Sequence, residues 1–390
     1  MNGKERMICA FAHKEADMVP VGDPVIDSHV ARVALGREAF VGQGGVIHRA
    51  HDFMVHEGRR DEYVEKFKTD TVDLFNKLDL DFIVTDFMPP REIATRLEKI
   101  TENKWRLVDL KSGFWTEYVY EKTSDIVMEV NSNIKQRSEY DDVEVYLDNF
   151  EKSLSSQDPG IYDAIRHCKE KLGNEKLIAV KFPNLFPHGA SWYTKFLLMF
   201  YEEIEMVDRM FELYTKRALM YIEELAKIGV DALYIIGDWC DNRGPMMSPD
   251  IIRKYLTPQI ATLSAAAHGH GMYVIKHTDG NIMKIADDFF GMGIDAYHSI
   301  DPGANMDLKV MKKMFGDKYT LFGNVDCRHT LVHGSKDDIV SEVKQCIRDG
   351  AAGGGYVLSS SNTINAMIPA ENFFTMVEAV RKYGRYPIAI

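Results

Sequence analysis

Eight short runs rich in β-branched and aromatic residues recur along this chain, separated by stretches with helical patterning. No other feature constrains the fold as much. Strands joined through helices run parallel, and the helices then cover the sheet. The runs are Val19–Ile26, Asp81–Asp86, Leu177–Phe182, Ala232–Gly237, Met272–Lys276, Ala296–His298, Thr320–Gly323 and Tyr356–Ser359. Helical patterning covers Gly3–Glu15, Phe53–Leu78, Tyr193–Ile228, Pro249–Gly269 (with Ser248 placed to cap it) and Ala370–Tyr383. Eight such units predict an α/β fold, a closed (β/α)8 TIM barrel. An open doubly wound sheet would read similarly through its middle, but no GxGxxG follows the first strand.

One stretch breaks the rhythm. From Lys104 to Asn131 the residues alternate, as in Trp105-Arg-Leu-Val-Asp-Leu110, with Lys111-Ser-Gly113 as a turn. This predicts an antiparallel β meander, 104–131, inserted between the second and third barrel strands. Lys135 to Pro159 is polar and acidic, and is expected to be surface loop and helix. The 390 residues are expected to form one domain, 1–390, since barrels commonly exceed about 250 residues.

Composition excludes several roles. With 47 Lys and Arg against 59 Asp and Glu the net charge is −12, and no basic stripe occurs, so nucleic acid is not an expected partner. The five cysteines are scattered without a CxxC, which argues against a disulfide framework and for a reducing cytoplasm. Met1–Ala10 lacks the apolar region of a signal peptide. No apolar run reaches the roughly 18 residues of a membrane span.

In a parallel barrel the carboxyl ends of the strands form one mouth, where residues distant in sequence converge. Polar groups stand at nearly every strand end here: Asp86, then Asn184 and His188, then Asp238, Trp239, Cys240, Asp241 and Asn242. They continue with His277, Asp279 and Asn281, with His298 and Asp301, with Asn324, Asp326 and Cys327, and with Ser359 to Asn362. Any one Asp or Asn after a strand is most simply a cap or turn former. Asp301 before Pro302 and Asp250 at a helix start fit that reading best, and His268 and His270 at a helix end fit a local role. His277 and Asp279, two apart at a strand end, can face the same side. With Asp238 or Asp241 and Cys327 they form either a zinc-type metal site of His277, Asp279, Asp241 and Cys327, or a polar network that orients an organic substrate without metal.

Several stretches, in order and spacing, resemble the uroporphyrinogen decarboxylase superfamily over essentially the whole chain. They are Glu5-Arg6 with Asp17-Met-Val-Pro20, Phe82-Ile-Val-Thr-Asp86-Phe-Met-x-Pro90, and Gly237-Asp238-Trp239 through Gly244-Pro-Met-Met-Ser-Pro249. His277-x-Asp279-Gly-Asn281, Gly323-Asn324-Val-Asp326 and Ile368-Pro-x-Glu371-Asn372 complete the set. The resemblance implies the barrel fold, and an activity among porphyrinogen decarboxylases and cobalamin-dependent methyltransferases. Asp86 matches a decarboxylase aspartate, but Asp23-Pro-Val-Ile-Asp27-Ser-His29 stands where the decarboxylases carry arginines that grip carboxylates. Ser361-Asn362-Thr-Ile-Asn365 replaces a histidine near the last strand. His277 matches the zinc-ligand histidine of thiol-methylating relatives, whereas Asp279 replaces the first cysteine and Ser359–Ser361 stand near the second.

The pattern then resembles the methyltransferase components of aryl O-demethylases. That implies transfer of a methyl group from a small methoxylated, aromatic compound to the cob(I)alamin of a separate corrinoid-binding protein. Decarboxylation of a carboxylated substrate is the alternative. Cobalt would be the nucleophile, so the chain would supply positioning and stabilise the leaving oxygen. His277, Asp279, Asp238 and Asp241 are the expected acid or metal group. Asp86 is expected to take part in catalysis by positioning, Asn324 and Asn362 to bind substrate, and Trp192, Tyr193 and Trp239 to form aromatic walls. A homodimer is expected by resemblance alone.

Overall fold

The computed structural model describes residues 1–42, 44–136, 140–155 and 158–390. Its centre is a curled parallel sheet of seven strands: β1 (Phe82–Thr85), β6 (Leu177–Phe182), β7 (Ala232–Ile235), β10 (Tyr273–His277), β11 (Ala296–His298), β12 (Thr320–Val325) and β13 (Tyr356–Ser360), adjacent in that order. Every pairing within it is parallel. These strands read as continuous apolar runs because both faces are covered: β7, β12 and β13 are buried at every position.

The first expected strand, Val19–Ile26, is not a regular strand. It makes only isolated bridges, Val21 to Leu358 and Ile26 to Ile364. It nonetheless links the two end strands of the sheet. Leu358 N–H donates to the Pro20 carbonyl at 2.9 Å, and Asp81 N–H donates to the Val21 carbonyl at 2.8 Å. Pro20 and Pro24 interrupt this run, and a proline has no N–H to give to a ladder, which explains the irregular pairing.

Between β1 and β6 in the chain runs a four-stranded antiparallel sheet: β2 (Thr95–Lys99), β3 (Lys104–Asp109), β4 (Trp115–Glu121) and β5 (Ile126–Ser132). β2 lies outside the expected 104–131 stretch. Thr95-Arg-Leu-Glu-Lys99 is partly exposed along its length and mostly charged, so hydrophobic periodicity does not reveal it. Of the 135–159 segment, Asp141–Ser153 is helical, while 137–139 and 156–157 lie outside the described residues. A two-residue hairpin pairs β8 (Cys240–Asp241) with β9 (Gly244–Pro245).

Two of the expected helices are broken. The 53–78 stretch becomes Gly45–His56 and Arg60–Leu78, interrupted at Gly58 with φ +75°. The 193–228 stretch breaks at Glu203 into Tyr193–Glu202 and Ile204–Ile228. Ser248 does cap the helix that follows it, accepting from Ile251 N–H at 3.3 Å. The amino-terminal helix, Gly3–Phe11, carries a capping box of Asn2 and Glu5. Its Met7 and Ala10 pack with Phe82, Leu177, Ala232, Phe322 and Val357 inside the curled sheet. The Ala10 carbonyl accepts from Thr320 Oγ1, at the start of β12, at 3.1 Å. This helix therefore fills the amino end of the sheet and leaves the carboxyl end open. No helix among the described residues is long and apolar enough to cross a membrane.

Candidate functional site

At the open end the strand register brings two histidines together. His277 and His298 are partners across β10 and β11, and their Nδ1 atoms lie 2.8 Å apart. Beyond His277 the chain turns at Gly280, φ +82°, where a Cβ would sit 2.5 Å from the Asp241 carbonyl oxygen. Glycine there lets the loop after β10 rest against the loop after β7. That contact places Asp279 beside Asp238, whose Oδ1 accepts from the Asp279 N–H at 3.0 Å.

His277 Nε2 then lies 3.6 Å from Asp238 Oδ1 and 3.7 Å from Asp279 Oδ1. One ligand-type atom from each residue falls within 4.8 Å of the others. Their neighbours hold them in place. Ser299 Oγ donates to Asp279 Oδ1 at 3.0 Å, and Asn362 Nδ2 donates to Asp279 Oδ2. The His188 imidazole stands 3.8 Å from Asp238 Oδ2. Lys276, wholly buried, donates to the carbonyls of Gly237 and His277, tying the two loops at their roots.

Burial sets the electrostatics. It draws the Lys276 ammonium down to about 7 and raises the Asp279 carboxyl, with His277 opposing the latter. Burial would also raise Asp238, but the facing His277 and the Asp279 N–H hold it below its ordinary range. The His188 imidazole is lowered by burial. Two carboxylates and one imidazole converging at this spacing, with no thiolate, form an N/O donor set that fits a divalent cation such as zinc.

The cluster faces a cavity of about 300 Å³ whose lining includes Asn184, His188, Tyr234, Asp238, His277 and Asn362, and no Lys or Arg among the described residues. An adjoining chamber of about 610 Å³ shares Asn184 and His188 with it and is walled by Phe114, Trp115, Tyr118, Tyr146, Phe186 and Trp192. Asn184 Oδ1 and the Tyr193 hydroxyl are buried there or nearby with no hydrogen-bond partner among the described residues. Burial, reinforced by Asp238, lifts the Tyr193 phenol to about 12.

Of the residues singled out in the sequence, the structure gathers Asp238, His277, Asp279 and Asn362 at one point and sets Trp192 and Tyr193 close by. Others it places elsewhere. Asp241 is turned into its hairpin, bound to Arg243 at 2.8 Å. Cys327 is buried against Ser361 Oγ at 3.3 Å, with its thiol pushed up to about 12 by burial. Neither belongs to the cation-type group among the described residues. Asp86 pairs with Lys181 and lines a different chamber of about 470 Å³, with His48 and His51. The buried Trp239 packs on Phe289, and Asn324 donates to the Ile300 carbonyl at 3.0 Å, so neither lines the cavity at His277.

The local readings of the remaining residues hold. Asp301 caps the Pro302–Ala304 turn, His268 pairs with Asp295 and His270 with Glu223. Sequence reasoning gave no role to Lys276, Tyr234 or Ser299. A lysine inside the otherwise apolar run Tyr273-Val-Ile-Lys276 is the signal that could have found the first.

Comparison with known proteins places this geometry in context. The family model for uroporphyrinogen decarboxylase (URO-D) matches residues 125–383. A methylcobamide:CoM methyltransferase, MtaA, of Methanosarcina barkeri is 25% identical over 227 residues, covering 58% of this chain and 64% of that protein. A uroporphyrinogen decarboxylase of Actinobacillus succinogenes is 24% identical over 193 residues, covering 50% of this chain and 53% of that one. The matches thus span between about half and two thirds of these relatives' lengths. A solved methyltransferase from Methanosarcina mazei superposes with a TM-score of 0.62 at 18% identity, covering 98% of this chain and 99% of its own, which shows a shared fold.

Proposed function

The chain belongs to the uroporphyrinogen decarboxylase (URO-D) family, and on that premise we propose that it is a corrinoid-dependent methyltransferase that takes its methyl group from a small methoxylated aromatic compound and delivers it to the cob(I)alamin of a separate corrinoid protein. The likeness to methylcobamide:CoM methyltransferases supports the corrinoid partner. The observation that carries the reading is the cavity itself. An acidic, imidazole-bearing cluster faces a space lined by no Lys or Arg among the described residues, and the aromatic chamber beside it is lined by one arginine, Arg217. Such a site suits a neutral aromatic ether. It does not suit a substrate with several carboxylates, which needs paired cations.

In this reading His277, Asp238 and Asp279 hold a divalent metal such as zinc, which when bound supplies Lewis acidity to the leaving oxygen. The aromatic walls bury the substrate ring and exclude water. Asn184, whose Oδ1 is an unsatisfied acceptor lining both spaces, takes a donor on the substrate. Distance and alignment are the chain's main contributions, since the nucleophile comes with the partner.

Product analysis tests this directly. The chain, incubated anaerobically with reduced corrinoid protein and a panel of methoxylated aromatics, is expected to release the matching phenol. His277→Ala should lower the rate about 1,000-fold, the scale of several kcal/mol of Lewis-acid stabilisation. Release of CO2 from a carboxylated substrate, with no phenol from any donor, would favour the decarboxylase reading instead.

A further inference from the structure

The contact between His277 and His298 fixes where hydrogens sit at the metal-type cluster. Their Nδ1 atoms lie 2.8 Å apart. Two bare ring nitrogens would repel at that distance, so one of them carries a hydrogen and the other accepts it. The far side of His298 decides which. Its Nε2 stands 3.1 Å from the Ser360 carbonyl oxygen, and a carbonyl only accepts, so His298 carries its hydrogen on Nε2. The Ser360 carbonyl cannot turn away, because the N–H of the same peptide plane, that of Ser361, donates to the Val325 carbonyl at 2.9 Å.

His298 is 1% exposed, and its polar neighbours are an imidazole, a phenol and a carbonyl. None of these described neighbours is an anion, so a charge on this ring would be buried and unpaired, and the ring is neutral. A neutral ring protonated at Nε2 has a bare Nδ1. The hydrogen in the short contact therefore belongs to His277 Nδ1, and in the neutral ring that can ligate a cation His277 Nε2 is bare. That atom is the one 3.6 and 3.7 Å from the oxygens of Asp238 and Asp279, too far for hydrogen bonds but placed to share an ion with them.

We propose that His298, anchored on the Ser360 carbonyl, is a positioning residue that holds His277 in its Nδ1–H tautomer and so presents a bare Nε2 to Asp238 and Asp279 as a ready-made cation ligand. The consequence for metal binding rests on the cation reading of that cluster; the tautomer itself does not. Tyr234, whose hydroxyl is 3.1 Å from His298 Nδ1, is a second neighbour and is not needed to set the direction. A glutamine at 298 can do what the histidine does, with its amide N–H on the Ser360 carbonyl and its oxygen accepting from His277. A leucine cannot.

Two measurements test this. The first is the ring 15N spectrum of the metal-free, 15N-histidine-labelled chain, with His277 assigned through the spectrum of His277→Gln and read where its ring is neutral. The second is the affinity for Zn2+ alone, by calorimetry, in the wild type, His298→Leu, His298→Gln and Tyr234→Phe. The expected result is a hydrogen on His277 Nδ1. Zinc binding should be about 10- to 100-fold weaker in His298→Leu, and near wild type in His298→Gln and Tyr234→Phe. A neutral His277 with its hydrogen on Nε2 overturns the proposal, as does an unchanged zinc affinity in His298→Leu. If the wild type takes up no zinc while His277 keeps its Nδ1–H tautomer, the tautomer assignment is supported and the metal reading is the one that fails.

Discussion

Asp23 is fully buried, and its carboxyl accepts from both the N–H and the hydroxyl of Ser360. Burial outweighs those bonds and raises it from 3.8 to about 8. The folded chain therefore keeps a proton there that the unfolded chain has lost above about pH 4. Because the folded state binds more protons in this window, the stability from this group is complete below about pH 4 and is lost as pH rises through about 8. Asp23→Asn keeps an amide in the same place with nothing to titrate. Urea unfolding of the two proteins between about pH 5 and pH 9 should show the wild-type midpoint falling more steeply with pH than the variant's. Equal slopes would show that Asp23 does not carry this proton. At this scale the sequence was informative about identity and poor about company. Asp238, His277 and Asp279 were legible as polar residues at strand ends, and two of the three came from one short motif. Asp241 and Cys327 were read with them because they too follow strands. Only the hairpin of Asp241 with Arg243 and the burial of Cys327 against Ser361 remove them from the cluster.

At the scale of elements, the cluster exists because two loops touch, and Gly280 is the point of contact. Its φ of +82° would strain any other residue, and an added Cβ would meet backbone atoms of Cys240 and Asp241 at 2.5–2.7 Å, which cannot move aside as a flexible side chain can. Gly280→Ala is expected to separate Asp279 from Asp238 and weaken zinc affinity at least about 10-fold. Gly36→Ala is the matching control, with φ +67° and nothing within 4 Å of the added atom. It should cost some stability but leave zinc affinity unchanged. Equal affinity losses in the two variants would attribute the effect to general destabilisation. The elements most legible in the sequence were those with a single period. β6, β7, β12 and β13 are short apolar runs, and Ala370–Tyr383 is one amphipathic helix with the bounds expected of it. Less legible were elements whose limits are set by backbone geometry. Gly58 and Glu203 each split a continuous helical pattern, and β2 pairs through its backbone with little apolar signal. The Val19–Ile26 run has the composition of a strand, but its prolines leave it only scattered bridges to the sheet.

At the scale of the whole molecule, the alternation of strands and helices was enough to indicate a parallel sheet with polar residues gathered at the carboxyl ends. What it could not indicate is how the space above those ends is partitioned. Asp86 and His277 both follow parallel strands, yet Asp86 pairs with Lys181 in a chamber that His277 does not line. The antiparallel sheet contributes Trp115, Tyr118 and Glu129 to the aromatic chamber, while the end of β10 and the loops after β7 and β10 contribute the acidic cluster beside it. Aromatic walls and the metal-type group therefore meet only in the folded chain, and their meeting is what supports an aromatic methyl donor. The most direct test of this account is a single-turnover reaction followed by absorbance. The chain, cob(I)alamin on a corrinoid protein and a methoxylated aromatic are mixed anaerobically, and the conversion of Co(I) to methyl-Co(III) is recorded. The account predicts stoichiometric conversion by the wild type and essentially none by His277→Ala with the same donor. Conversion at the same rate in both, or no conversion with any methoxylated donor and any corrinoid partner, would contradict it.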